Sequence, residues 1–191
     1  MNLEIISLNN LKKSYGSDDI LDVKHFSFKR GYKYLLVGEN GSGKSTLLKI
    51  IIGIITSYSG EVIRNYDSIS YVPEKSILPD FINLMRFLSG YDTSKIKELS
   101  DLFDININKP FYKYSKGMRQ KVIIIQSLIK ESELLLFDEP LSGLDNLSKK
   151  NLINYILNTK STVIISTHYL EQFDGYGFLK VSISGKSLCL E

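Results

Sequence analysis

Hydrophobic and polar positions along the chain change period repeatedly, and each change marks an element. Leu3 to Leu11 alternates loosely and predicts a strand, closed by a turn at Gly16–Asp19. Val23 to Phe28 alternates again and predicts a second strand. Gly31 opens a turn into the short apolar run Tyr34 to Val37, which leads straight into a glycine-rich segment. Lys44 to Ile52 carries the helical period and stops at Gly53. Glu61–Ile63 and Ser68–Val72 predict short strands, the second stopped by Pro73. From Leu84 to Phe103 the pattern is helical and polar. Tyr114 to Lys130 places Val122, Ile125 and Ile129 on one helical face. Leu134 to Phe137 predicts a buried strand, Asn146 to Leu157 a helix, and Thr162 to Ser166 a β-branched strand. Phe178 to Leu190 predicts a closing hairpin around Gly185. Strands alternating with helices predict an α/β core.

Composition narrows the class rather than the function. At 191 residues with 43% apolar residues, the chain suits one domain, or one core with a small subdomain. The most apolar run, Ile50 to Ile55, is far shorter than the ~20 residues a membrane helix needs. The segment MNLEIISLNNLKKSY has no signal-peptide pattern. Cys189 is the sole cysteine, so no intramolecular disulfide is expected, in keeping with a reducing compartment. Net charge is +3 without any Lys/Arg block, which argues against nucleic acid as a partner.

The chemistry enters at Gly38–Ser45, GENGSGKS. Gly38, Gly43, Lys44 and Ser45 meet the pattern G-x-x-x-x-G-K-[ST], with a strand before it and a helix after it. Glycines let successive N–H groups turn toward one anion, and the following helix adds its positive dipole end. A chance glycine-rich turn lacks this frame. The candidate ATP contacts are therefore Gly38, Glu39, Asn40, Gly41, Ser42, Gly43, Lys44, Ser45 and Thr46. Lys44 is placed to reach the β- and γ-phosphates, and the Ser45 hydroxyl to bind Mg²⁺. A second motif, Leu134 to Pro140, is an apolar strand ending in two carboxylates. Beside the loop, Asp138 would hold Mg²⁺ directly or through water, and Glu139 would polarise the attacking water. Asp-Glu-Pro alone is turn chemistry, so this assignment leans on the loop upstream.

These two motifs define only the broad class of P-loop hydrolases and kinases. Three more narrow it: Tyr114–Gln120 (YSKGMRQ) before a helix, Leu141–Asp145 (LSGLD) after the acidic strand, and Ser166–His168 closing the next strand. In this order the chain resembles the nucleotide-binding domain of ABC (ATP-binding cassette) transporters over nearly its whole length. The resemblance implies a P-loop NTPase core of ABC ATPase type. It also implies an N-terminal antiparallel β subdomain and a short helical subdomain, at about 75–130, within a single domain of residues 1–191. It further implies that Tyr15 stacks on adenine and that Glu74, where the family usually has glutamine, senses Mg²⁺ or water and couples to a membrane partner. His168 would hold the γ-phosphate, completing a catalytic set with Glu139 and Lys44. Ser115 and Gly117 would cap the nucleotide of an opposite subunit, and Asp145 would lie on the loop between subunits. His25 lacks such context and is expected to be structural.

The implied protein is an ATPase subunit, homodimeric or heterodimeric, that drives a separate transmembrane permease from the cytoplasmic face of the membrane. Lys116 and Met118 depart from the family's usual LSGGQ, and with Glu74 they resemble exporter-type cassettes. Lys116 either adds charge near the γ-phosphate across the dimer or faces solvent. The segment from Pro73 to Ser115 looks trimmed, no second glycine loop follows, and no C-terminal regulatory domain is expected after His168. The alternatives are a soluble ABC-type ATPase in a non-transport process, a P-loop kinase, and a regulatory subunit that binds ATP without hydrolysing it.

Overall fold

The computed structural model describes residues 3–75 and 77–191; Met1, Asn2 and Ser76 lie outside them, the last within the expected helical stretch. Two sheets organise the chain. Strands β1 (Glu4–Tyr15), β2 (Asp18–Lys29) and β4 (Ser59–Arg64) form an antiparallel sheet in the order β2-β1-β4. The second sheet contains β3 (Lys33–Val37), β5 (Ile69–Val72), β6 (Leu134–Asp138), β7 (Thr162–Ser166), β8 (Leu179–Ser184) and β9 (Ser187–Leu190). Its order is β5-β6-β7-β3-β8-β9, parallel except for the β8–β9 hairpin.

The central strands β6 and β7 are buried at every position and apolar in their interiors, because both faces are covered. Alternate residues point to opposite cores. Leu35, Leu135, Phe137, Val163 and Ile165 face a core that includes residues of α3 (Thr93–Leu102), α4 (Lys116–Ile129) and α5 (Asn146–Asn158). Leu36, Leu134, Leu136 and Ile164 face a second core, built with α1 (Lys44–Ile51) and the antiparallel sheet. Burying one such side chain contributes about 1.5–3 kcal/mol.

Several boundaries differ from expectation. β1 and β2 run beyond Leu11 and before Val23 to meet in a tight hairpin at Gly16–Ser17, since cross-strand pairing carries polar residues into the strands. The helical pattern over Leu84–Phe103 resolves into two helices, α2 (Leu84–Phe87) and α3. Asn83 accepts the Arg86 N–H and Asp92 accepts the Ser94 N–H, so each side chain starts its own helix. α4 starts at Lys116 rather than Tyr114, because Ser115 caps it and accepts the Met118 N–H.

Register decides what surrounds the glycine loop. Asp138 pairs with Ser166, and Ser166 with Leu36, one residue before Val37 and the loop. The carboxyl ends of β6, β7 and β3 therefore share one edge, where parallel sheets gather their ligands.

Candidate nucleotide site

The loop between β3 and α1 turns on Gly43, which caps α1 with φ 103°. A Cβ there would stand 2.9 Å from Cγ2 of Ile20, so the β1–β2 hairpin presses directly on the loop. Lys44 is nearly buried, and its Nζ donates to the carbonyls of Gly38 (2.7 Å) and Glu39 (3.0 Å). The ammonium thus arches over the loop from which it springs.

Asp138 is 2% exposed. Its Oδ1 accepts from Ser45 Oγ at 2.9 Å and Ser166 Oγ at 2.5 Å, and its Oδ2 from the Tyr71 hydroxyl at 3.3 Å. Burial and then the Asp138 carboxylate hold the Tyr71 phenol well above its ordinary pKa, so it serves as a donor. A hydroxyl and a carboxylate in contact form the oxygen-donor pair that suits Mg²⁺, which binds few protein ligands and keeps phosphate and water for the rest. No cluster of three or more His, Cys, Asp or Glu side chains suited to a metal occurs among the described residues, which agrees with so sparse a donor set.

Glu139 has φ 51°, a left-handed conformation that a non-glycine residue adopts at a cost of about 1–3 kcal/mol. Its N–H holds this pose by donating to the carbonyl (3.1 Å) and hydroxyl (3.2 Å) of Ser166. Oε1 lies 2.9 Å from Nδ1 of His168, while Oε2 is buried with no hydrogen-bond partner. A buried carboxylate oxygen of this kind is a strong acceptor awaiting a donor. The His168 ring packs on Tyr169, with centroids 4.1 Å apart. A cleft of about 440 Å³ is lined by Ile20, Asn40, Gly41, Gly43 to Thr46, Glu74, Glu139 and His168. It therefore gathers more than half of the expected residues from four separate stretches of chain, with Ile20 as an added wall.

A family model of the ABC transporter matches residues 21–142. The chain belongs to the ABC transporter family. It is 33% identical over 189 residues to the lantibiotic transport ATP-binding protein SrtF of Streptococcus pyogenes, covering 89% of this chain and 82% of that one. It is 34% identical to the zinc import ATP-binding protein ZnuC of Buchnera aphidicola, covering 86% and 74%. A solved ATP-binding subunit of an ABC transporter superposes with a TM-score of 0.85 at 26% identity, covering 98% of this chain and 89% of that one. The protein is thus an ABC ATPase with the fold of an ABC nucleotide-binding domain. ABC ATP-binding subunits dimerise and work with a transmembrane permease; among the described residues no helix of this one is long and apolar enough to cross a membrane.

Gly38, Glu39 and Ser42 line a hollow on the other side of the loop, and Asp138 meets the loop through Ser45; the other expected residues lie apart from the cleft. Tyr15 ends β1, half exposed, with Lys13 Nζ 4.4 Å from its ring centre. Ser115 is engaged as the cap of α4. Gly117 packs so tightly that a Cβ would stand 2.4 Å from the carbonyl oxygen of Gly143. Asp145 caps α5 by accepting the Ser148 N–H (2.8 Å) and hydroxyl (2.9 Å), and pairs with Lys121 of α4 at 2.7 Å. Lys121 first, then the Ser148 N–H, hold its carboxyl far below the usual carboxylate range. His25 meets Asn9 Oδ1 at 2.8 Å on the exposed side of the antiparallel sheet. Lys116, Lys75 and Arg119 share a separate hollow with Glu74.

Sequence reasoning missed Ile20, Tyr71 and Ser166. Ile20 shapes the cleft wall, and the two hydroxyls orient the buried carboxylate. Ser and Tyr at strand positions carry no pattern that sets them apart, because their role depends on which strand lies next door.

Proposed function

We propose that this ABC ATPase powers export, closing as a dimer over two ATP molecules and driving a separate permease from the cytoplasmic face of the membrane. The observation that carries the hydrolytic part is the buried, partnerless Oε2 of Glu139 in the same cleft as Lys44, Ser45 and His168. The loop N–H groups of Gly38 to Thr46 and the start of α1 grip the triphosphate, with Lys44 on the β- and γ-phosphates. Ser45 and Asp138 would hold Mg²⁺, with Glu74 at its outer edge. When bound, the ion neutralises charge on the phosphoryl oxygens. Glu139 accepts a proton from the attacking water through Oε2, and His168 holds both Glu139 and the γ-phosphate. Tyr15 supports the adenine ring.

Ser115 and Gly117 stand outside the cleft and complete the site of the partner subunit, so a monomer binds ATP but turns it over poorly. The stretch of about 75–130, with Glu74 at its border, forms the helical subdomain that meets the permease. Export is supported by YSKGM, by Glu74 and by the likeness to a lantibiotic transport subunit. The likeness to a zinc import subunit favours the second reading, uptake.

Glu139→Gln tests the chemistry: ATP binding persists, turnover is lost, and a nucleotide-bound dimer accumulates in gel filtration. Wild-type turnover in that variant would remove Glu139 from its role. Direction is read by reconstituting the co-purified permease in vesicles with this subunit outside. ATP-driven accumulation inside the vesicles supports export, and depletion of preloaded substrate supports uptake. Absence of any co-purifying membrane protein would favour a soluble ABC-type ATPase.

A further inference from the structure

Lys13 stands where the alternation of β1 calls for an apolar side chain. Leu11 is buried and Lys12 exposed, and Lys13 is only 6% exposed. No carboxylate among the described residues lies within ion-pair distance of it. A buried ammonium without a counter-charge is costly and needs another source of stabilisation. It finds two. Nζ donates to the carbonyl and the hydroxyl of Ser57, at 2.7 and 2.8 Å, and it lies 4.4 Å from the centre of the Tyr15 ring. Two hydrogen bonds and one ring account for the three donors of an ammonium.

The arrangement has consequences for Tyr15. One side of its ring carries a cation, while half of the residue remains open to solvent. A cation on one face draws electron density from the ring and favours stacking of an electron-rich heterocycle on the other. Ser57 lies in the segment between α1 and β4, so the same ammonium also ties the end of β1 to the connection that follows the helix behind the phosphate loop.

We propose that Lys13 is a positioning residue for recognition of the nucleotide base, orienting and polarising the Tyr15 ring so that adenine stacks on its open face. This rests on the reading of Tyr15 as the base-stacking residue. Lys13 itself touches neither base nor phosphate.

The test is calorimetric titration of the full chain with Mg·ATP and with Mg·tripolyphosphate, which has the phosphates and no base. Lys13→Met weakens ATP binding roughly 3- to 10-fold, the range of a partly desolvated cation–π contact, and leaves tripolyphosphate unchanged. In a Tyr15→Leu background the same substitution has no further effect on ATP. Equal weakening of both ligands would overturn the proposal and leave Lys13 as a fastening between β1 and Ser57. If Tyr15→Leu leaves ATP binding unchanged, it is the stacking role of Tyr15 that fails. If Tyr15→Leu weakens ATP binding and Lys13→Met does not, the Lys13 proposal alone fails. Should Lys13→Met not fold, Lys13→Gln keeps a donor for Ser57 without the charge and is read in the same way.

Discussion

Two polar regions of this protein, the glycine loop and the segment around Ser115 and Asp145, are built in opposite ways. The glycine loop faces a cleft, and a carboxylate oxygen beside it is left with capacity: Oε2 of Glu139 has no hydrogen-bond partner, while Asp138, bonded to Ser45 of the loop, is held in place by three hydroxyls. The segment around Ser115 and Asp145 turns its polar groups on itself. Ser115 caps one helix, Asp145 caps another and pairs with Lys121, and Gly117 closes against Gly143. The first region is organised to receive a ligand. The second joins α4 to the 141–145 loop through contacts within the chain, and in the proposed dimer it is the surface offered to another subunit. It follows that damage to the first should act on one subunit's own nucleotide, and damage to the second only once two subunits meet.

The sharpest break comes from Glu139→Gln. Loss of the proton acceptor should lower turnover by roughly 10²- to 10⁴-fold while leaving the dissociation constant for ATP near its starting value. Steady-state phosphate release together with equilibrium nucleotide binding measures both. If binding fell in step with turnover, the carboxylate would be serving to hold the loop rather than the reaction.

Gly117→Ala probes the opposite region. Its new Cβ would stand 2.4 Å from a backbone oxygen, so α4 or the 141–145 loop must shift. Turnover should fall roughly 10²- to 10³-fold, the cost of losing about 3–4 kcal/mol of transition-state contact. ATP binding to the monomer should remain intact. Weakened monomer binding would mean the two regions are not separate.

A smaller effect is expected from Asp145→Asn. The Asp145 carboxyl is held low by Lys121, so its contribution is full above the unfolded carboxylate value of about 3.9 and fades as pH falls below it. Because Asp145 is more than half exposed, screening limits that contribution to about 1 kcal/mol. Urea midpoints should differ between wild type and Asp145→Asn at neutral pH and converge in acid. Smaller still, Tyr71→Phe removes a 3.3 Å hydrogen bond to Asp138 and should raise the Mg²⁺ concentration for half-maximal hydrolysis roughly two- to fivefold.

The contrast also explains what could be foreseen. The phosphate loop is contiguous from Gly38 to Ser45, and its glycines and lysine work through local backbone geometry, so neighbouring residues in the chain announce it. Asp138 and Glu139 sit together at the end of an unbroken apolar run, which marks a strand end whatever the fold. The helical pattern from Leu84 to Phe103 holds two helices because Asn83 and Asp92 cap locally, and periodicity alone does not weigh a cap against a continuing turn. Tyr15 was placed by resemblance, and the lysine beneath its ring has no signature in a segment already rich in lysine.

By itself, then, the order of residues determined the α/β alternation, the nucleotide loop, the acidic strand end and the histidine after the β-branched strand. Each depends on side chains close in the chain and on periods of two or 3.6. Only the tertiary structure decided that Ser166 and Tyr71 would hold Asp138, that Ile20 would lean on Gly43, and that Gly117 would close on Gly143. Those contacts follow from strand order and parallel register, which join residues far apart in sequence through buried packing that no local pattern encodes.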